Sequence, residues 1–149
     1  MSIVTVADTF IKSKNTFEEG QVLLINKPLQ WTSFDVVKKI RNLIKVKKVG
    51  HAGTLDPLAS GLLVICTGKF TKKISEFMSQ EKEYAGTITL GAVTPTYDLG
   101  SEPENFKRVD HISGEMIHKA VDTFKGEIMK IPPAPSAIKV DGKRLYELA

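Results

Sequence analysis

The 149-residue chain has a single cysteine, Cys66, and only three histidines. One thiol excludes an internal disulfide and suits a reducing compartment. His111 and His118 have no ligand partners at metal-binding spacing, so no metal is expected and both read as surface residues. No apolar run is long enough to cross a bilayer, and there is no signal-peptide pattern. The expectation is no membrane or export role and a cytoplasmic location. Internal repeats and low-complexity tracts are also missing. What is present is ordinary for a soluble globular domain, with 26% charged and 42% apolar residues. The length suffices for one domain with a real core. The net charge of +4 is a mild basic bias, compatible with nucleic acid but not specific to it.

The densest chemistry lies in Gly50-His51-Ala52-Gly53-Thr54-Leu55-Asp56-Pro57-Leu58-Ala59-Ser60-Gly61. Three glycines, a histidine and one carboxylate sit between two apolar runs. Glycine permits positive φ or close backbone approach. Pro57 fixes its own φ and biases Asp56 away from helix. Asp56 is thus expected on a shaped loop. Read alone, Asp56-Pro57 is also what a plain turn requires.

Around that loop the pattern predicts alternating elements. Met1 to Glu19 is weakly patterned and reads as a lead-in, with Lys12 to Glu19 polar. Gln21 to Asn26 is a β-branched run of strand length, ended by Lys27-Pro28. Ser33 is expected to cap a helix with Asp35 in its first turn. Val36, Val37, Ile40, Leu43 and Ile44 repeat at helical spacing and predict one buried stripe. Lys38, Lys39, Arg41 and Lys45 occupy the other face, with Lys47 and Lys48 beyond. That face is either merely solvated or a phosphate-contacting surface. Leu62 to Cys66 reads as a buried strand, and Thr71 to Ser79 as a helix. Lys82 to Gly91 alternates with period two, which predicts a strand with Tyr84, Gly86, Ile88 and Leu90 on one face. Ser113 opens another helix, with Met116, Ile117, Ala120, Val121 and Phe124 inward. Asp141-Gly142 is a type I′ hairpin signal behind three prolines, flanked by Lys139, Lys143 and Arg144. It is either a Pro-rich surface hairpin or a clamp on an RNA backbone.

The glycine-rich string resembles the signature of the TruB family of tRNA pseudouridine synthases, G-H-x-G-T-L-D-P-x-A-x-G, at every fixed position. Other motifs follow in order. Lys27-Pro28-x-x-Trp31-Thr32-Ser33 resembles K-P-x-G-x-T-S, with Gln30 where glycine is usual. Lys82-Glu83-Tyr84 with Leu90-Gly91 resembles the second motif. Thr94-Pro95-Thr96-Tyr97-Asp98 resembles T-x-T-x-D, with Gly100 one position early. The Pro132 to Tyr146 segment resembles the family's RNA-gripping loop, with Pro135 replacing an aromatic and Lys130 a glutamine.

The resemblance implies an α+β fold: a mixed, largely antiparallel sheet with flanking helices. It makes residues 20–149 the N-terminal half of the catalytic domain and 1–19 a lead-in. It implies isomerisation of uridine to pseudouridine at position 55, in the T-arm of tRNA, without cofactor or metal. Asp56 is then the nucleophile. Tyr84 lies against the target base, and His51 fills the space left by a flipped nucleotide. Lys27, Pro28, Gly53, Thr54 and Leu55 shape the active-site loops, and Lys139, Lys143 and Arg144 bind RNA. Without the resemblance, Tyr84 reads as a core aromatic and His51 as a structural hydrogen-bonder. In the family an arginine partner for the aspartate and the rest of the domain follow beyond position 149. The chain alone is therefore expected to be inactive, and the competing reading is an RNA-binding fragment without turnover.

Overall fold

β-Branched and leucine-rich runs build the sheet. In the computed structural model, which describes residues 14–129 and the backbone of 139–140 and 143–144, strand β1 spans Val22–Lys27, β2 Val49–His51 and β3 Gly61–Thr67. β3 is central and both neighbours run antiparallel to it, in the order β1-β3-β2. Val22 pairs with Cys66 and Lys27 with Gly61, while Val49 pairs with Thr67 and His51 with Ile65. The strand pairs seen among the described residues are all antiparallel.

Helix α1 (Lys14–Glu19) precedes β1, and α2 (Ser33–Ile44) joins β1 to β2. The helix cap is Thr32, one residue before the expected Ser33. Its hydroxyl accepts from the Asp35 N–H, and the Asp35 carboxylate accepts from the Thr32 N–H, a reciprocal capping box. Threonine is also a favoured cap, so Ser33 is released for another contact. Val36, Val37, Ile40 and Ile44 of α2 pack with Leu23, Leu63, Ile65, Val46, Val49 and Phe17. Each such side chain contributes on the order of 1.5–3 kcal/mol on burial. Leu43, expected in that stripe, lies at its flank and is exposed. Arg41, expected on the face opposite the stripe, instead donates to the Val49 carbonyl at 3.3 Å and ties α2 to β2.

The polar lead-in supplies Phe17 to the core. Thr67, fully buried, fastens it there: its hydroxyl donates to the Phe17 carbonyl at 2.9 Å and accepts from the Gln21 N–H at 3.0 Å. Gly68 has φ +53, and a Cβ there would lie 2.0 Å from the Glu18 carbonyl, so no other residue fits. A 3-10 segment, Gly68–Lys73, and α3, Ile74–Met78, replace the single helix expected from Thr71 to Ser79.

The chain divides into two units, Met1–Tyr84 and Ala85–Ala149. Residues 81–90 form no strand. Period-two alternation sets which side chains share a face, but a strand persists only with a ladder partner. Among the described residues these have none, and Tyr84 and Ile88 are exposed. In the second unit Val93 and Glu104 form an isolated antiparallel bridge that closes the Thr94–Ser101 loop. Within it the Thr96 hydroxyl and the Gly100 N–H both donate to Asp98 Oδ1. Helix α4, Gly114–Asp122, is capped by Ser113 as expected. Its apolar stripe, expected to face inward, is exposed at Met116, Ile117, Val121 and Phe124 because no described residue covers it. Strands β4 (Lys139–Val140) and β5 (Lys143–Arg144) pair antiparallel. The turn between them, Asp141-Gly142, lies outside the described residues.

Candidate active site

The loop between β2 and β3 is pinned at both sides of Asp56. Ser33 is buried at the start of α2, and its hydroxyl accepts from the Leu55 N–H at 2.9 Å and donates to the Leu55 carbonyl at 3.1 Å. One side chain thus satisfies both backbone groups of the residue before Asp56. On the other side the Gln30 N–H donates to the Pro57 carbonyl at 2.7 Å. Within the loop the Ala59 N–H closes a turn on the Asp56 carbonyl, and the Ala52 N–H extends the ladder to Val64.

Gln30 has φ +63, a left-handed conformation that glycine adopts freely and other residues adopt at a cost. The turn shape that glycine would provide is therefore kept, with strain. Lys27 braces the same turn. It is fully buried, and its ammonium donates to the carbonyls of Pro28 at 3.0 Å and Trp31 at 2.7 Å. A buried cation needs such acceptors. No described carboxylate forms an ion pair with it.

His51 sits on β2, half-buried, and its Nδ1 lies 2.5 Å from the Gly53 carbonyl. A carbonyl can only accept, so Nδ1 carries the proton in that contact. The ring is thus tied to the loop it precedes. Gly53 has φ +104, which the loop's path requires. Asp56 is exposed, and its carboxylate makes no hydrogen bond or ion pair with any described group. The backbone is held while the side chain is left free to meet a ligand. A carboxylate so placed can act as an anionic nucleophile or a base.

Lys27, Pro28, His51, Gly53, Thr54, Leu55 and Asp56 belong to one unit and share this loop system. Tyr84 ends that unit, exposed, with no described contact to the aspartate loop. Lys139, Lys143 and Arg144 lie on the paired strands of the second unit. The residues missed from sequence are Ser33, whose hydroxyl the local pattern assigns to the helix cap, and Gln30, whose backbone rather than side chain matters. The Thr32-x-x-Asp35 spacing is the available signal that the cap belongs to Thr32. Among the described residues no group of three or more histidine, cysteine or acidic side chains could hold a metal ion. No described helix is long and apolar enough to cross a membrane.

Comparison with known proteins adds a lineage to this geometry. A family model described as TruB family pseudouridylate synthase (N terminal domain) matches residues 41–149. A protein of Flavobacterium johnsoniae named tRNA pseudouridine synthase B is 57% identical over 138 residues, covering 88% of this chain and 60% of its own length. One of the same name from Bacteroides fragilis is 56% identical over 139 residues, again covering 60% of its own length. The chain therefore spans about 60% of the length of these curated relatives. A chain in the crystal structure of a Cbf5-Nop10-Gar1 complex superposes with a TM-score of 0.55 at 26% identity, over 86% of this chain and 33% of that one.

Proposed function

This chain belongs to the TruB family of pseudouridylate synthases, and from that premise we propose that it carries the nucleophile-bearing part of an enzyme that isomerises uridine to pseudouridine in the T-arm of tRNA. Residues 20–149 would form the N-terminal part of the catalytic domain, with 1–19 leading in and lending Phe17 to its core. The observation that carries the reading is Asp56: an exposed, unpartnered carboxylate on a backbone clamped at Leu55 by Ser33 and at Pro57 by Gln30.

The reaction exchanges the N1–C1′ bond for a C5–C1′ bond. A proton leaves C5 and one is gained at N1, so no electron or phosphate is consumed. The uracil must detach, turn and re-attach in one pocket. An anionic oxygen can trap the sugar carbon, add to the ring, or remove a proton in an elimination route, and Asp56 supplies that oxygen in each case. Holding it rigidly matters, because positioning is a large part of the rate such a site provides. The uridine must first leave its stack, at a cost of a few kcal/mol. His51, tied to Gly53, is suited to occupy the vacated space, and Tyr84 to lie against the base. Lys139, Lys143 and Arg144 would bind the RNA backbone. The site would act in the cytoplasm.

A second reading, an RNA-binding segment without turnover of its own, is favoured by the span of 60% of the relatives' length. By it the 149 residues alone release no product. Both readings are tested with tRNA tritiated at uridine C5, since isomerisation expels that hydrogen. A chimera of this chain with the remaining length of the Flavobacterium johnsoniae relative is expected to release tritium. Its Asp56→Asn variant is expected to lose more than ~10³-fold in rate while still binding tRNA. Activity of that variant within tenfold of the parent would remove Asp56 from the chemistry. Release by the 149-residue chain matching the chimera would exclude the second reading.

A further inference from the structure

The outer side of α2 carries a concavity of about 400 Å³ lined by Gln30, Trp31, Asp35, Lys38, Lys39 and Asn42. Three features of it point the same way. The first is charge. Between Asp35 and Asp56 the chain has six cations (Lys38, Lys39, Arg41, Lys45, Lys47 and Lys48) and no acid. Arg41 is turned to the Val49 carbonyl, but Lys38 and Lys39 face the groove. Asp35 is the one carboxylate on its rim, and it is engaged by the N–H and hydroxyl of Thr32. Asn42 stands one helical turn from both lysines and adds an amide donor and acceptor to the same stripe.

The second feature is an aromatic. Trp31 is the chain's sole tryptophan and is 39% exposed. Its backbone is fixed from behind by the Lys27 ammonium on its carbonyl. The ring is therefore presented on a braced turn. The third is position. Gln30 lines the groove and its N–H holds the Pro57 carbonyl, one residue from Asp56. The groove and the reactive loop share a wall.

An aromatic face beside a row of cations is what a single-stranded nucleic acid requires: bases stack on the ring while phosphates meet the charges. We propose that this groove binds the RNA segment flanking the uridine held at Asp56, with phosphates on Lys38 and Lys39 and one unpaired base on the Trp31 ring. The assignment rests on the pseudouridine synthase reading and adds to it a contact surface on the first unit, separate from the Lys139–Arg144 hairpin.

Because Trp31 is the sole tryptophan, its emission in the 149-residue chain reports on the groove alone. The probe is a fluorescently end-labelled RNA stem–loop with a single-stranded, uridine-containing loop. The expected result is saturable quenching of Trp31 that tracks the anisotropy of the labelled RNA. Trp31→Ala should weaken binding roughly 5- to 100-fold, and Trp31→Phe, which keeps a ring, by much less. Lys38→Gln with Lys39→Gln should reduce the log–log salt slope by about 1.4 to 1.8. These side chains are solvent-facing, and circular dichroism checks that each variant is folded. Binding seen by anisotropy with unchanged emission and unchanged slope in the double variant would overturn the groove. So would no binding at low salt. In either case tritium release by the chimera decides separately whether the pseudouridine synthase reading stands.

Discussion

Removing the Ser33 hydroxyl tests whether the aspartate loop is rigid because of a single side chain. Ser33→Ala deletes two hydrogen bonds, of 2.9 and 3.1 Å, to the N–H and carbonyl of Leu55. Each is worth about 0.5–1.5 kcal/mol net. Leu55 is half-buried, so water can recover part of the loss. Alanine is also the better helix former, which returns up to about 0.5 kcal/mol at this first helical position. The sum is a destabilisation of roughly 0.5–2.5 kcal/mol, or about 2–20 °C in melting temperature for a unit of this size. Catalysis should suffer more. A loop released at Leu55 lets Asp56 drift, and about 1 Å of misplacement can cost on the order of 10²-fold. Thr32→Ala is the control. It removes the helix cap at about 1 kcal/mol but leaves the Leu55 clamp, so turnover should fall far less. Melting is read by circular dichroism on the chain, and turnover by tritium release from the chimera. If Ser33→Ala melts within 1 °C of the parent, or if Thr32→Ala impairs turnover as severely, the clamp is not what holds the loop.

Gln30→Gly should leave stability unchanged or raise it by up to about 1 kcal/mol, because relief of the left-handed conformation competes with glycine's greater unfolded entropy; Gln30→Val should destabilise, and a glycine variant losing more than about 1 kcal/mol in urea unfolding would contradict the strain. Asp35 and Asp98 are held below the usual carboxylate range, first by the hydroxyls of Thr32 and Thr96. Their contribution to stability is complete above about pH 5, where the unfolded carboxylates are also ionised, and is lost progressively as pH falls through the unfolded and then the folded values. Acid titrations of unfolding should therefore flatten in Asp35→Asn and Asp98→Asn, and parent-like slopes in both would refute this. Lys139→Ala with Lys143→Ala should reduce the log–log salt slope of RNA binding by about 0.7 to 0.9 for each phosphate no longer neutralised, and an unchanged slope would clear the hairpin of phosphate binding.

Local chemistry is legible in the sequence, and pairings between distant residues are not. β1 and β3 fall within a residue of their expected bounds because apolar runs ended by proline or glycine carry their own punctuation. The buried face of α2 follows from helical spacing at four of five positions. Read alone, Lys27 is an unremarkable strand-end lysine, and only the family resemblance gives it a loop-support role; its full burial is not legible, since a lysine at a strand end is normally solvated. Ser33 and Leu55 are 22 residues apart, and no spacing rule links a serine to a backbone that far away. Phe17 is hidden among polar neighbours that give it no periodicity. The opposite error occurs at residues 82–91 and in α4, where a clear period fixes a face but cannot supply the surface to cover it.

The order β1-β3-β2 also has a consequence in time. A ribosome delivers β1 first and β2 second, yet among the described residues each pairs only with the last of the three. Until residues 61–67 clear the exit tunnel, β1 has been waiting since residue 27 with its ladder groups unmet. The arrival of one seven-residue strand then joins the three described strands. The Asp56 loop immediately precedes that strand, so the Asp56 carboxylate reaches its place at the step that joins the three described strands.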